Sequence, residues 1–148
     1  MYGNNILNYL LWTYENSIQN KGYAVNYFSI TDEQIEHISP KKPTNGEPIE
    51  TGYEVNDQNM YSEKFISEKL HCLGNLVLIS RSHNASIGNR PFREKLSSYN
   101  NNPLLNQQAE IKNFSKGDIE NPVWKEESIS KRQQILVAFA INKWSFPE

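Results

Sequence analysis

A length of 148 residues with 37% hydrophobic content is enough for one small core, so the whole chain, 1–148, is predicted to form a single domain. The net charge of −2 at pH 7 and the pI near 5.9 argue against a protein that coats nucleic acid by bulk positive charge, although a local basic patch remains compatible with both values. The single cysteine, Cys72, excludes an intrachain disulfide and a zinc site built from several thiolates, which fits a cytoplasmic protein.

The N-terminal part of the chain predicts one helix and two extended segments. Apolar residues recur at helical spacing over 4–20, and Gly22 ends the pattern. The apolar part of this helix is too short to cross a bilayer, so no membrane attachment is expected. Aromatic and β-branched residues predict an extended segment over 23–30, and a short strand follows at 33–38 until Pro40 ends it.

The middle of the chain alternates irregular and regular segments. Closely spaced proline and glycine residues predict a long irregular segment over 39–57. A helix is expected over 58–70, and a strand at 75–80 follows the turn at Gly74. The side of the helix that is expected to be buried carries Met60, Phe65, Ile66 and Leu70.

The C-terminal part is predicted to be helical. The segment 81–96 predicts a helical turn, a break at Gly88 and a second short helix that begins at Pro91. A further helix is expected over 103–114, and the last helix over 126–144, with acidic residues at its start. The predicted apolar face of the last helix consists of Ile129, Ile135, Leu136, Phe139, Ala140 and Trp144.

Polar side chains suited to metal and phosphate chemistry lie around the two central strands. They occur in IEHISP at 35–40, LGNLVLISRSHN at 73–84 and NRPFREKL at 89–96. If the strands pair, Glu36 and His37 at the end of the first strand approach Asn84 in the helix after the second. Glu36 and Asn84 offer the oxygen donors that Mg²⁺ prefers. His37, on the other side of the strand, can accept a proton from water near neutral pH.

These pieces resemble the HNH (His-Me finger, ββα-metal) endonuclease pattern. The resemblance rests on EHISP, on GNLVLIS and on the spacing from Asn75 to Asn84. It is closest to the C-terminal HNH-like domain of GmrSD-type modification-dependent restriction enzymes. The flanking stretches YLLWTYE at 9–15 and W....I..RQ.IL from Trp124 to Leu136 resemble the same family.

The resemblance implies an α+β fold with a small ββα-metal core. Its short two-stranded antiparallel sheet would be embedded in flanking helices. On this interpretation the core spans about 23–97, and the helical flanks span 4–20 and 103–146.

The resemblance also implies a role for each matching residue. His37 corresponds to the general base, and Asn75 to the residue that holds the loop and orients this base. Glu36 and Asn84 correspond to the ligands of a divalent metal ion, most simply Mg²⁺, with Mn²⁺ or another divalent ion as the option. Positive charge concentrated between 81 and 96 suits a polyanion. The expected phosphate or DNA contacts are Arg81, Asn89, Arg90, Arg93 and Lys95, with Lys95 favoured.

Simpler interpretations compete with these roles. His83 is the rival of Asn84 for the ligand position because the two residues are adjacent. His71 is expected to serve packing rather than metal binding. Trp124 and Trp144 are expected to pack the last helix against the centre of the domain.

The function implied by the resemblance is a metal-dependent DNA endonuclease of a prokaryotic defence system. Its partners would be DNA and a ParB-like NTPase domain or subunit. No Walker-type glycine-rich loop occurs in these 148 residues, so the NTPase would be supplied by another domain or subunit. A catalytically silent module that binds nucleic acid or protein on the same fold is one alternative. A ribonuclease or nuclease toxin is another, since no sequence feature separates RNA from DNA as the substrate.

Overall fold

The computed structural model describes residues 5–19, 33–43, 50–101 and 105–146, and within them helices surround two short antiparallel sheets. The elements are α1 (Asn5–Ile18), β1 (Glu33–His37), α2 (Glu63–Phe65, continued by the π-helical turn Ile66–Leu70), a 3₁₀ turn (Leu73–Asn75), β2 (Leu76–Ser80), α3 (Arg81–Ile87), α4 (Phe92–Asn101), α5 (Asn106–Ala109, continued by the 3₁₀ turn Glu110–Asn113), β3 (Lys116–Gly117), β4 (Pro122–Val123) and α6 (Glu126–Trp144). The predicted α+β class is confirmed. The extended segment predicted over 23–30 lies outside the described residues. No helix among the described residues has the length and apolar character that a membrane span requires.

The central sheet consists of β1 and β2, paired antiparallel from Glu33 opposite Ser80 to His37 opposite Leu76. The predicted strands 33–38 and 75–80 therefore match the observed ones closely. Strand β2 is buried on both faces, which explains its unbroken apolar sequence. The side chains of β2 consequently divide the core into two clusters.

One cluster lies on the face of β2 that carries Val77 and Ile79, and the other on the face of Leu76 and Leu78. The first includes Ile87, Phe92, Leu96, Tyr99, Trp124 and Ile129, so α3, α4 and the start of α6 cover this face. The second includes Leu7, Leu11, Tyr14, Leu105 and Leu136, so α1 covers the other. Trp124 is fully buried, as predicted.

Helix α2 begins later than the predicted 58–70. The Asn56 side chain accepts hydrogen bonds from the backbone N–H groups of Gln58 and Met60, which holds this segment in a turn. The helix then begins after Ser62, whose hydroxyl accepts a hydrogen bond from the Phe65 backbone at 3.1 Å. Met60 and Ile66 are exposed rather than buried, so the predicted apolar face was wrong at these two positions.

Helix α6 has the predicted ends but a different buried face. Its buried residues are Ser128, Ile129, Arg132 and Leu136. Ile135 is 43% exposed and Trp144 is 40% exposed, so their predicted burial was wrong. Trp144 contacts the rings of Tyr9 and Phe139 instead of the centre of the domain.

The beginning of α6 lies against the 3₁₀ turn that leads into β2. A Cβ atom at Gly74 would lie 2.1 Å from the backbone oxygen of Ile129, so only glycine fits between the turn and the helix. Arg132, fully buried, donates hydrogen bonds from Nη1 to the backbone oxygens of Gly74 at 3.1 Å and Leu76 at 2.6 Å. The last helix thus fixes the turn that carries Asn75.

Candidate active site

The end of β1 places Glu36 and His37 on opposite faces of the sheet. Glu36 pairs with Val77 and His37 with Leu76, and residues directly opposite each other in an antiparallel pair project to the same side. Val77 belongs to the cluster covered by α3 and α4, and Leu76 to the other cluster. Glu36 therefore projects toward α4, whereas His37 projects away from it.

Asn75 ties the segment after His37 to three other parts of the chain. It is fully buried. Its Nδ2 donates to the backbone oxygens of Ser39 at 3.1 Å and Leu70 at 2.9 Å. Its Oδ1 accepts from the Ser39 backbone N–H at 2.8 Å and from Trp124 Nε1 at 3.0 Å. The amide is thus used for holding the loop, which is the kind of role that the resemblance implies for this position.

Further hydrogen bonds hold the same loop. The Ile38 backbone N–H donates to the Asn75 backbone oxygen at 2.9 Å, and the Tyr61 hydroxyl donates to the Pro40 oxygen at 2.8 Å. Lys41 follows directly and is exposed. A positive charge is therefore held close to the end of β1.

Lys95 is fully buried and pairs with the end of β1 from the α4 side. Its Nζ donates to the carboxylate of Glu36 and, at 2.9 Å, to the backbone oxygen of His37. Burial raises the pKa of Glu36 and lowers the pKa of Lys95, and the attraction between the two charges opposes both effects. Lys95 was the favoured phosphate contact, but the structure places it inside the core, where a DNA phosphate does not reach. Helical spacing explains its burial, since Phe92, Leu96 and Tyr99 occupy the same face of α4.

The same ion pair bears on the predicted metal ligands. The carboxylate of Glu36 is already bound to an ammonium group, and a metal ion would have to compete with that charge, so Glu36 does not fit the role of a free anionic ligand. Within the described ranges no group of three or more His, Cys, Asp or Glu side chains could hold a metal ion. Asn84 lies in α3 and is partly exposed, so its amide oxygen fits the role of a donor.

His83, the rival of Asn84, has a structural position. It is buried, its Nε2 lies 2.7 Å from the hydroxyl of Ser98, and its ring packs against Tyr99. These contacts join α3 to α4. They give His83 a packing role and leave Asn84 as the better candidate ligand.

The ring of His37 contacts a second imidazole. His37 Nε2 lies 3.0 Å from His71 Nδ1, and the two rings are nearly perpendicular, at 88°. His37 is buried, whereas His71 is exposed. Burial, then the proximity of His71, Lys41 and Lys95, lowers the pKa of His37 to about 3. The ring is therefore unprotonated at neutral pH, as a proton acceptor must be.

The sequence did not reveal the contact of His71 with His37. His71 was expected to serve packing, because two adjacent residues such as His71 and Cys72 cannot easily bind one metal ion. Only the folding of α2 against the end of β1 brings the two rings together.

The other predicted phosphate contacts are accessible. Arg81, Asn89, Arg90 and Arg93 are all exposed, on α3, on the connection to α4 and on α4 itself. Arg90 forms an exposed ion pair with Glu94 at 3.7 Å. A shallow groove on the outer side of α4 is lined by Arg90, Arg93, Glu94, Ser97, Ser98 and Asn101.

Comparison with known proteins identifies one family. The family described as GmrSD restriction endonucleases, C-terminal domain, matches residues 1–139. No curated protein and no solved structure matches the chain. The match extends from α1 to the second half of α6 and includes the whole candidate site.

Proposed function

Because the chain belongs to the family of C-terminal domains of GmrSD restriction endonucleases, we propose that it hydrolyses phosphodiester bonds of DNA with His37 as the general base. The observation that carries this proposal is the position of His37 at the end of β1, directly before a loop that Asn75 holds in place. The imidazole of His37 is neutral at neutral pH and stands at the end of a strand whose following loop is held by buried hydrogen bonds. A fixed, unprotonated imidazole is what activation of a water molecule requires.

In the proposed reaction His37 accepts a proton from a water molecule as the water oxygen attacks phosphorus. The bond between phosphorus and the departing sugar oxygen breaks, and that oxygen takes up a proton from solvent. Before a substrate binds, a pKa of about 3 gives the His37 ring little affinity for a proton. A bound phosphodiester would bring negative charge next to Lys41 and thereby raise the pKa of His37 toward the range in which a base is effective.

Substrate binding is assigned to the exposed groups around α3 and α4. Arg81, Arg90 and Arg93 would contact backbone phosphates, with Asn89 as a neutral hydrogen-bonding partner. Lys95 is not included, because it is buried. The proposed role of Lys95 is to neutralise Glu36 and hold the backbone of His37.

We also propose, from the family resemblance, that the reaction uses a divalent cation, most simply Mg²⁺ or Mn²⁺. When bound, it would neutralise negative charge on the phosphate. Asn84 is the donor that we propose for it. A ParB-like NTPase domain or subunit is the proposed partner, with defence against foreign DNA in the cytoplasm as the context.

The test is cleavage of supercoiled plasmid DNA with Mg²⁺, with Mn²⁺ and with EDTA. We expect His37→Ala to reduce the rate of nicking at least about a hundredfold, which is the usual contribution of a general base. His83→Ala is the matched control, because it removes an imidazole that packs between α3 and α4 and should leave cleavage substantially intact.

The same assay separates the alternatives. Equal cleavage by wild type and His37→Ala would contradict the assignment of the base. Cleavage of single-stranded RNA but not of DNA would favour the ribonuclease alternative. Binding of DNA without any cleavage, even in the presence of the partner domain, would favour the catalytically silent module.

A further inference from the structure

We propose that His71 is a positioning residue for His37, whose ring orientation and tautomer it sets through a hydrogen bond between the two imidazoles. The proposal rests on the proposed function, since it gives His71 a part in the reaction that His37 would catalyse. Neither the motif around His37 nor the family resemblance assigns any role to His71.

The geometry of the two rings requires a shared hydrogen. A separation of 3.0 Å between His37 Nε2 and His71 Nδ1 lies within the range of a nitrogen–nitrogen hydrogen bond. A neutral imidazole has one donor and one acceptor nitrogen, so one of these two nitrogens must carry the hydrogen and the other must accept it. Each ring therefore fixes the tautomer of the other, and the perpendicular arrangement fixes the plane of the His37 ring.

The backbone holds both histidines against the same side chain. Asn75 binds the backbone oxygen of Leu70, directly before His71, and it binds both backbone polar groups of Ser39, which follows shortly after His37. The Asn75 backbone N–H also donates to the oxygen of Cys72 at 3.0 Å, directly after His71. Asn75 thus fixes the segment that carries His37 relative to the segment that carries His71. The contact between the two rings is therefore supported by the backbone on both sides.

The contact also links a buried group to an exposed one. His37 is 5% exposed, so few groups can reach its ring. His71 is exposed and follows the π-helical turn Ile66–Leu70. A general base must hold one nitrogen toward water at a fixed angle. Without the hydrogen bond between its Nε2 and His71, the His37 ring would be held less firmly at that angle.

The test compares three variants of His71 in the plasmid assay. In His71→Asn the side-chain amide occupies the place of Nδ1, because both are attached to Cγ, whereas the amide of His71→Gln lies one bond farther out. We expect His71→Ala to lower kcat about tenfold with little change in KM, which corresponds to the loss of one orienting hydrogen bond. His71→Asn should restore most of this loss and His71→Gln should not.

A second measurement reads the hydrogen bond directly. The ¹⁵N NMR signals of the His37 ring should shift between wild type and His71→Ala, and should return toward the wild-type position in His71→Asn. A His71→Ala variant that keeps the wild-type kcat, or a His37 ring signal that this variant does not change, overturns the proposal.

The two proposals fail in different ways. If His37→Ala cleaves as well as wild type, the proposed function fails, and the NMR comparison still decides whether His71 orients the ring. If His37→Ala is inactive while His71→Ala is fully active, the proposed function stands and the role of His71 is refuted.

Discussion

Lys95 and Glu36 form an ion pair inside the core. Removing either partner would leave the other charge buried and uncompensated, which would destabilise the folded state. The second hydrogen bond of Lys95, to the backbone oxygen of His37, attaches the pair to the residue that we propose as the base. A side chain expected to meet the substrate thus supports the site from inside.

A double-mutant cycle tests this structural role. Glu36→Gln and Lys95→Met should each lower the free energy of unfolding by about 3–5 kcal/mol, because each leaves one buried charge unpaired. The double variant should lose less than the sum of the two losses. Urea denaturation of the four proteins measures the coupling. The exposed pair Arg90–Glu94 is the control, for which we expect a coupling below about 1 kcal/mol.

Metal titration of the same variants decides between the two roles of Glu36. If Glu36 is only the partner of Lys95, Glu36→Gln leaves the affinity for Mg²⁺ unchanged. If Glu36 is instead a metal ligand, Glu36→Gln weakens Mg²⁺ binding and Lys95→Met strengthens it, since the competing ammonium is gone.

At this scale the sequence predicts motifs but not long-range partners. The pattern around His37 and Asn75 could be recognised in the sequence because these residue types occur at fixed positions around one pair of short strands. The burial of Lys95 and the contact of His71 depend on how α4 and α2 pack against β1, and neither is encoded in a local spacing.

At the scale of elements, α6 and the turn before β2 approach each other closely beside the site. Gly74 makes this approach possible, and the Arg132 side chain then bonds the backbone oxygens of the turn. The helix supplies partners for carbonyl groups that would otherwise be buried without hydrogen bonds.

Gly74→Ala should therefore destabilise the domain strongly. The added methyl group would meet the Ile129 backbone oxygen at 2.1 Å, and α6 would have to move away, so we expect a loss of about 3 kcal/mol or more in the free energy of unfolding. Gly88→Ala is the matched control, since no atom lies within 4 Å of its added methyl group and only its positive φ of 42° opposes the change. Since its ψ of −132° places Gly88 outside the left-handed helical region, in a conformation that side chains rarely adopt, we expect a loss of about 1–3 kcal/mol there from backbone strain alone. Equal losses in thermal denaturation would show that the helix contact is not tight.

The elements differ in how well local sequence predicts them. Both ends of α6 were predicted, because its acidic start and long periodic pattern are local signals. The small sheet of β3 and β4 was not predicted, since each strand has only 2 residues and no alternation to read. The exposure of Ile135 was missed because the buried face of α6 follows Ile129, Arg132 and Leu136, and Ile135 lies outside that face. The exposure of Trp144 was missed because Leu136 is the last buried residue of the helix.

At the scale of the whole molecule, buried titratable groups make stability depend on pH. The folded state holds the pKa of His37 at about 3, whereas an unfolded chain has a histidine pKa of about 6.5. Between these values the unfolded chain binds a proton at His37 that the folded chain does not. Stability is therefore lost as pH falls from about 6.5 toward 3, and this contribution is complete above about 6.5.

Replacing His37 by Gln should remove this contribution. Relative to His37→Gln, we expect the wild type to lose at most about 1.4 kcal/mol of unfolding free energy per pH unit below pH 6.5. Urea denaturation of both proteins at a series of pH values measures the difference, in which the other ionisable groups largely cancel. Parallel curves for the two proteins would mean that His37 titrates normally in the folded state.

The overall class could be predicted from the sequence, and its fine arrangement could not. The apolar runs and turn residues predicted where the central strands lie, and the family resemblance implied the α+β class and the antiparallel pairing of these strands. The division of the core into two clusters follows from which helix covers which face of β2, and that depends on packing between segments far apart in the chain.

The hydrogen bond from Trp124 to Asn75 and those of Arg132 also affect when the candidate site can form during translation. The strand that carries the candidate base and the strand paired with it both leave the ribosome well before Trp124 and Arg132 do. The arrangement around His37 is completed only when the start of α6 has emerged.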